Sequence, residues 1–159
     1  MMQRPDTLTG LMLRIVLVLL TGATATAAEP APEEDYQILE GKWVRSFHDA
    51  SLGPLRVENE MKSNLSIINI YDRNQNVTYS HRVKYRLQRV DDIKLLIYYD
   101  LEVLKGPKKG LKQNTLQPCI YRLRGDQLVV AEGMVEGDNF PSLIIVWWKV
   151  NPADPEPGI

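Results

Sequence analysis

His48, His81 and Cys119 are the whole stock of imidazole and thiol in this chain, and nucleophilic, general-base and zinc chemistry draw heavily on those groups. Neither histidine belongs to an H-x-x-x-H pair, and there is no second cysteine from which to build a zinc site. Cys119, beside Ile120, reads as a small buried hydrophobe. His48, Asp49 and Ser51 are the residue types of a hydrolytic triad. Side chains so close in sequence rarely attain that geometry, and a turn is the simpler expectation. The loop "KGPKKGLK" (105–112) carries four lysines, but Gly106 and Gly110 lack phosphate-loop spacing and no Ser or Thr follows a Gly-Lys pair. It reads as a solvated loop. Arg124-Gly125-Asp126 spells an adhesion tripeptide, yet between "YRL" and "QLVV" it is also a hairpin turn. The expectation is therefore no catalytic residue, no metal and no cofactor, and a protein that is not an enzyme.

Non-covalent binding is what remains, and one segment is patterned for it. From 79 to 87 the odd positions are Tyr79, His81, Val83, Tyr85 and Leu87, and the even ones are Ser80, Arg82, Lys84 and Arg86. That is the alternation of a strand with one wet face. Over 93–103 the odd positions, Tyr99 among them, are again apolar or aromatic, with Asp100 and Glu102 opposite. Asp91-Asp92 marks the turn between the two strands. A three-residue connection (91–93) sets Lys84 against Asp100 and Arg82 against Glu102, with both odd faces inward. The expected inner wall then holds Tyr79, His81, Tyr85 and Tyr99, polar tips on an apolar surface suited to contact a small ligand.

Positioning such a wall requires a sheet, and the rest of the chain supplies one. Further strand patterns lie at 41–47, 55–62, 65–71, 118–123, 127–133 and 142–150, separated by turn-rich stretches such as "DRNQN" and "RGD". No long segment has helical periodicity. The predicted fold is all-β, a single antiparallel up-and-down barrel of about eight strands, which leaves no bare edge. A barrel of that size is either filled by side chains or holds one small ligand. The last strand is apolar on both faces: Leu143, Ile145 and Trp147 on one, Ile144, Val146, Trp148 and Val150 on the other. A doubly apolar strand implies cover on its outer side. This motivates a rival reading, an extracytoplasmic protein-interaction domain or homodimer with a solid core, contacting its partner through Trp147 and Trp148.

The chain ends read differently. Residues 1–28 combine Arg4 and Arg14, the apolar run "IVLVLLTGA" and Ala25-Thr26-Ala27, the organisation of a cleaved secretory signal. The apolar run is too short to span a bilayer, which takes roughly 20 residues, so no stable membrane anchor is expected after cleavage. Removing Arg4, Arg14 and Asp6 with the leader leaves 17 basic and 19 acidic residues. A net charge of −2 does not suit nucleic acid, which requires a clustered positive field. The proline-rich, acidic "EPAPEEDY" (29–36) reads as a disordered linker and "NPADPEPGI" (151–159) as a disordered tail, bounding a domain at 37–150. The expected location is periplasmic or extracellular, and with one cysteine the domain cannot rely on an internal disulfide.

Leu39-x-Gly41-x-Trp43 after a secretory leader, followed by an all-β chain, resembles the opening of a lipocalin-type (calycin) barrel. "LEGKW" together with "IYRLRGDQLVV" (120–130) is more closely similar to a secreted lipocalin-like domain family abundant in planctomycete bacteria. The resemblance implies that Gly41 and Trp43 organise one end of the barrel, with the indole plugging it. It further implies that Lys149 packs across that ring where lipocalins use an Arg, and that Gly125-Asp126 form a hairpin turn. The resemblance implies binding of a small apolar ligand in the barrel.

Overall fold

The computed structural model describes residues 27–136 and 140–151. Residues 1–26 of the expected 1–28 leader and 152–159 of the expected tail therefore lie outside the described residues. Eight strands form a closed antiparallel barrel: β2 (Gly41–Asp49), β3 (Gly53–Lys62), β4 (Leu65–Tyr71), β5 (Val77–Val90), β6 (Ile93–Lys105), β8 (Gln117–Arg124), β9 (Gln127–Glu132) and β10 (Leu143–Lys149). Around the barrel the order is β5-β4-β3-β2-β10-β9-β8-β6, and β5 pairs with β6 to close it. Two short strands occupy ledges left by the stagger. β1 (Glu29–Pro30) pairs with β5 beyond the end of β4, and β7 (Lys112–Gln113) pairs with β6 beyond the end of β8.

Local chemistry explains the connections. Ser63 and Asn64 both have positive φ, 48° and 62°, between β3 and β4. That is the backbone of a type I′ turn, whose twist matches the strands it joins. Inward residues alternate along each strand: Trp43 on β2, Val57 and Met61 on β3, Tyr85 and Leu87 on β5, Leu128 and Val130 on β9, all buried.

The β5–β6 hairpin departs from expectation by one residue. Its connection is the two-residue Asp91-Asp92 turn, with Val90 paired to Ile93, so Tyr85 faces Tyr98 and Leu87 faces Leu96. Tyr98, not Tyr99, is thus the inward tyrosine of β6. Asp100, at φ 53°, then interrupts the ladder, and beyond it Arg82 faces Glu102 and His81 faces Val103. An aspartate tolerates this left-handed conformation better than most residues, and the bulge it allows reverses the phase of the strand. The ion pairs survive: Arg82 Nη2 to Glu102 Oε2 at 2.6 Å and Lys84 Nζ to Asp100 Oδ2 at 3.0 Å.

The segment 29–36, expected as a disordered linker, is ordered. Ala31 N–H donates to Leu87 C=O at 3.1 Å, and Glu33–Leu39 form helix α1 across the end of the barrel. Pro32 supplies an extended entry, and Glu33, Glu34 and Asp35 sit in the first turn, where the helix dipole favours acids. Asp35, 4% exposed, accepts from Arg89 Nη2 at 2.7 Å and Lys94 Nζ at 2.9 Å. Tyr36 Oη accepts from Leu87 N–H at 2.9 Å, and its ring stacks on Tyr85 with centroids 6.0 Å apart. Composition alone suggests solvation, whereas the basic partners on β5 and β6 fix the acid in place.

Candidate functional site

The barrel has a filled half and a hollow half. At the filled end Trp43 is 1% exposed and its Nε1–H donates to Leu39 C=O at 2.8 Å, tying the ring to the last residue of α1. Lys149 stands over that ring, Nζ 5.2 Å from its centroid, and donates to Ile38 C=O at 3.0 Å. Gly41 has φ 124°, and a Cβ there would come within 3.3 Å of Lys149 Cε. Glycine thus fits both the backbone and the lysine stem. Leu39, Met61, Tyr85, Leu87 and Leu128 complete the packing, each with at most 1% exposure.

The other half holds a cavity of about 330 Å³ that is open to solvent on one side. Its apolar wall includes Val57, Ile68, Ile70, Val83, Val130 and Ile145, and its polar groups are Arg45, His81, Tyr98, Gln117 and Glu132. Arg45 follows Trp43 in the inward alternation of β2, and its guanidinium lies against two rings, Phe47 at 5.3 Å and Trp147 at 5.2 Å. Its Nε has no hydrogen-bond partner among the described residues. Glu132 ends the inward series Leu128, Val130, Glu132 on β9, with Cys119 of β8 as its cross-strand partner. Burial raises the Glu132 carboxyl above the usual carboxylate range, and Arg45 and Gln117 draw it part of the way back. Burial also lowers the His81 imidazole, whose Nδ1 is likewise unpartnered. Tyr98 is pushed far up by burial, with smaller contributions from Cys119 and Glu132.

Of the four residues expected on a ligand wall, His81 alone lines this cavity. Tyr79 leans on His81 with ring centroids 5.5 Å apart. Tyr85 is in the filled half, and its hydroxyl has no partner among the described residues. Tyr99 lines a shallow cleft with Gln113, Thr115 and Leu116. The expected interaction pair also splits. Trp147, 4% exposed, faces the cavity, while Trp148, 52% exposed, faces out with Ile144 and Val146. Trp147 is therefore no part of an outer contact surface, because successive strand residues point to opposite faces. Period-2 alternation along 43-45-47 and 128-130-132 sets Arg45 on the face of Trp43 and Glu132 on the face of Leu128, a signal present in the sequence although charged residues are mostly exposed.

The remaining motifs are structural. Asp49 Oδ1 accepts from Ser51 N–H at 2.9 Å, Ser51 Oγ at 2.7 Å and Leu52 N–H at 2.9 Å, so the carboxylate of the triad-like trio organises a turn. Gly125, at φ 57°, and Asp126 connect Arg124 to Gln127, and Asp126 C=O accepts from Lys149 N–H at 2.8 Å. Cys119 is buried with its Sγ 3.8 Å from Gln117 O. Among the described residues no group of His, Cys, Asp and Glu has the arrangement of a metal site, and no helix is long and apolar enough to cross a membrane.

No family model, curated protein or solved structure matched the chain.

Proposed function

We propose that this protein is an exported, lipocalin-like carrier that holds one small, largely apolar molecule in the open half of its barrel. The cavity of about 330 Å³ carries the reading. It lies at the small end of the ligand-pocket range, roughly 300–1,000 Å³, and has the usual character of an apolar wall with a few orienting polar groups. The filled half gives it a rigid floor, since Trp43, Lys149 and α1 lock that end independently of any occupant. Native mass spectrometry of the mature protein from its own secretions tests the reading. A non-covalent adduct that departs on unfolding is expected. Protein that is bare and also fails to take up a neutral apolar fluorophore overturns it.

A second reading has its own support. Ile144, Val146 and Trp148, 58%, 39% and 52% exposed, form an apolar stripe on the outside of β10, as a homodimer or an extracytoplasmic interaction domain would present. On that reading Trp148→Lys abolishes self-association or partner retention in sedimentation velocity. A native protein that sediments as a monomer at every concentration, with no co-purifying chain, rejects it.

A further inference from the structure

The cavity's polar groups bear on what kind of molecule it accepts, an inference that rests on the carrier reading above. Arg45 and Glu132 are the two formally charged side chains on its wall, on strands separated by β10 alone. We propose that Glu132 selects the ligand's charge: as the counter-ion of Arg45 inside the cavity, it admits uncharged molecules that accept a hydrogen bond and turns away permanent anions.

The Arg45 guanidinium has rings on two sides, Phe47 and Trp147, and an unpartnered Nε–H. An arginine remains protonated in such a setting. Were Arg45 alone, an anionic head group would be its natural partner. Glu132, however, lines the same cavity from the strand next but one to that of Arg45, and its carboxylate, when ionised, opposes the guanidinium charge. A second negative charge brought to the same wall would be left without an equal and opposite partner away from water, an unfavourable arrangement. A carbonyl, ether or hydroxyl oxygen needs only the free Nε–H. His81 offers a second station at Nδ1 without adding positive charge, because burial disfavours its protonated form.

The test is displacement of the neutral fluorophore N-phenyl-1-naphthylamine from the mature protein by 1-decanol and by 1-decanesulfonate, an anion at every pH used. In the wild type at neutral pH, decanol is expected to displace it at concentrations at least about tenfold lower, a tenfold ratio being about 1.4 kcal/mol. Glu132→Gln, verified as folded by near-ultraviolet circular dichroism, should shrink that ratio or invert it. Should that variant not fold, the wild type titrated downward from neutral pH serves instead, since a carboxyl raised by burial gains its proton at a higher pH than an ordinary one. Glu132 is faced by Arg45 of β2, Tyr98 of β6 and Gln117 and Cys119 of β8, none of which changes charge on that acidification. His81→Gln in the same assay removes the other cavity group able to gain charge. A ratio unmoved by both Glu132→Gln and acidification overturns the inference, as does wild-type protein that takes decanesulfonate at least as well as decanol; both leave the carrier reading intact. Protein that never binds the fluorophore overturns the carrier reading and this inference together.

Discussion

Tyr85 combines two opposing contributions in one side chain. Its ring is fully buried, stacked on Tyr36 and paired across the hairpin with Tyr98. Its hydroxyl has no partner among the described residues, and burial, assisted by Glu40 and Tyr36, pushes its pKa up to about 12. Ring and hydroxyl should therefore separate under substitution. Tyr85→Ala removes the stacked ring from a filled region and should cost about 3–5 kcal/mol of unfolding free energy, as other buried aromatic truncations do. Tyr85→Phe keeps the ring and deletes a desolvated polar atom, so stability should hold or rise by up to about 1–3 kcal/mol, the penalty attached to an unsatisfied buried group. Urea denaturation of both variants measures the difference. A loss for Phe comparable with that for Ala would mean that the hydroxyl is satisfied after all.

At the scale of elements, α1 is held by charge as well as by its apolar residues. Burial works to raise the Asp35 carboxyl, but hydrogen bonds and charge from Lys94 and Arg89 outweigh it and hold the group below its ordinary 3.8. A carboxyl depressed by folding contributes stability that is fully present above its unfolded value and lost as pH falls through its folded one. Asp35→Asn should cost about 1–3 kcal/mol at neutral pH, toward the lower figure because Arg89 and Lys94 are 40% and 35% exposed. Its urea midpoint should converge on the wild-type midpoint as pH falls below the carboxyl's ordinary 3.8 and through its lower folded value. A constant offset down to pH 2 would show that packing of α1, not the ion pair, carries the effect. The same helix marks where sequence reading stops. All eight barrel strands follow from local signals, alternation or, for the last strand, an apolar run, each bounded by turn residues. The order of 29–36 depends on Arg89 and Lys94, more than fifty residues away, and local composition carries no trace of them. The one-residue phase error that exchanged Tyr99 for Tyr98 has a similar origin. A two-residue turn and a later bulge at Asp100 restore the same Arg82–Glu102 pairing that a three-residue turn produces, so charge complementarity cannot tell them apart.

The whole molecule is a barrel divided along its axis, and that division makes a mechanical prediction. In the filled half Leu128 is 0% exposed and opposite Trp147 in the β9–β10 ladder. In the hollow half Ile145 borders the cavity and is only partly buried. A side chain packed on every side loses contacts all around when truncated and leaves a new void, whereas one already facing empty space has fewer to lose. Leu128→Ala should therefore cost about 2–5 kcal/mol and Ile145→Ala about half as much or less. Ligand adds a second axis to the comparison. Saturation with an apolar ligand at about a hundred times its Kd should stabilise the wild type by about 2.7 kcal/mol through mass action. Leu128→Ala should retain that increment, because Leu128 does not line the cavity. Ile145→Ala should retain less of it, because the substitution removes part of the cavity wall. Thermal or urea unfolding of the three proteins with and without ligand measures both axes. Equal costs for the two truncations would mean that the barrel is packed uniformly in solution, and the interaction surface on β10 would then become the stronger account of what this protein does.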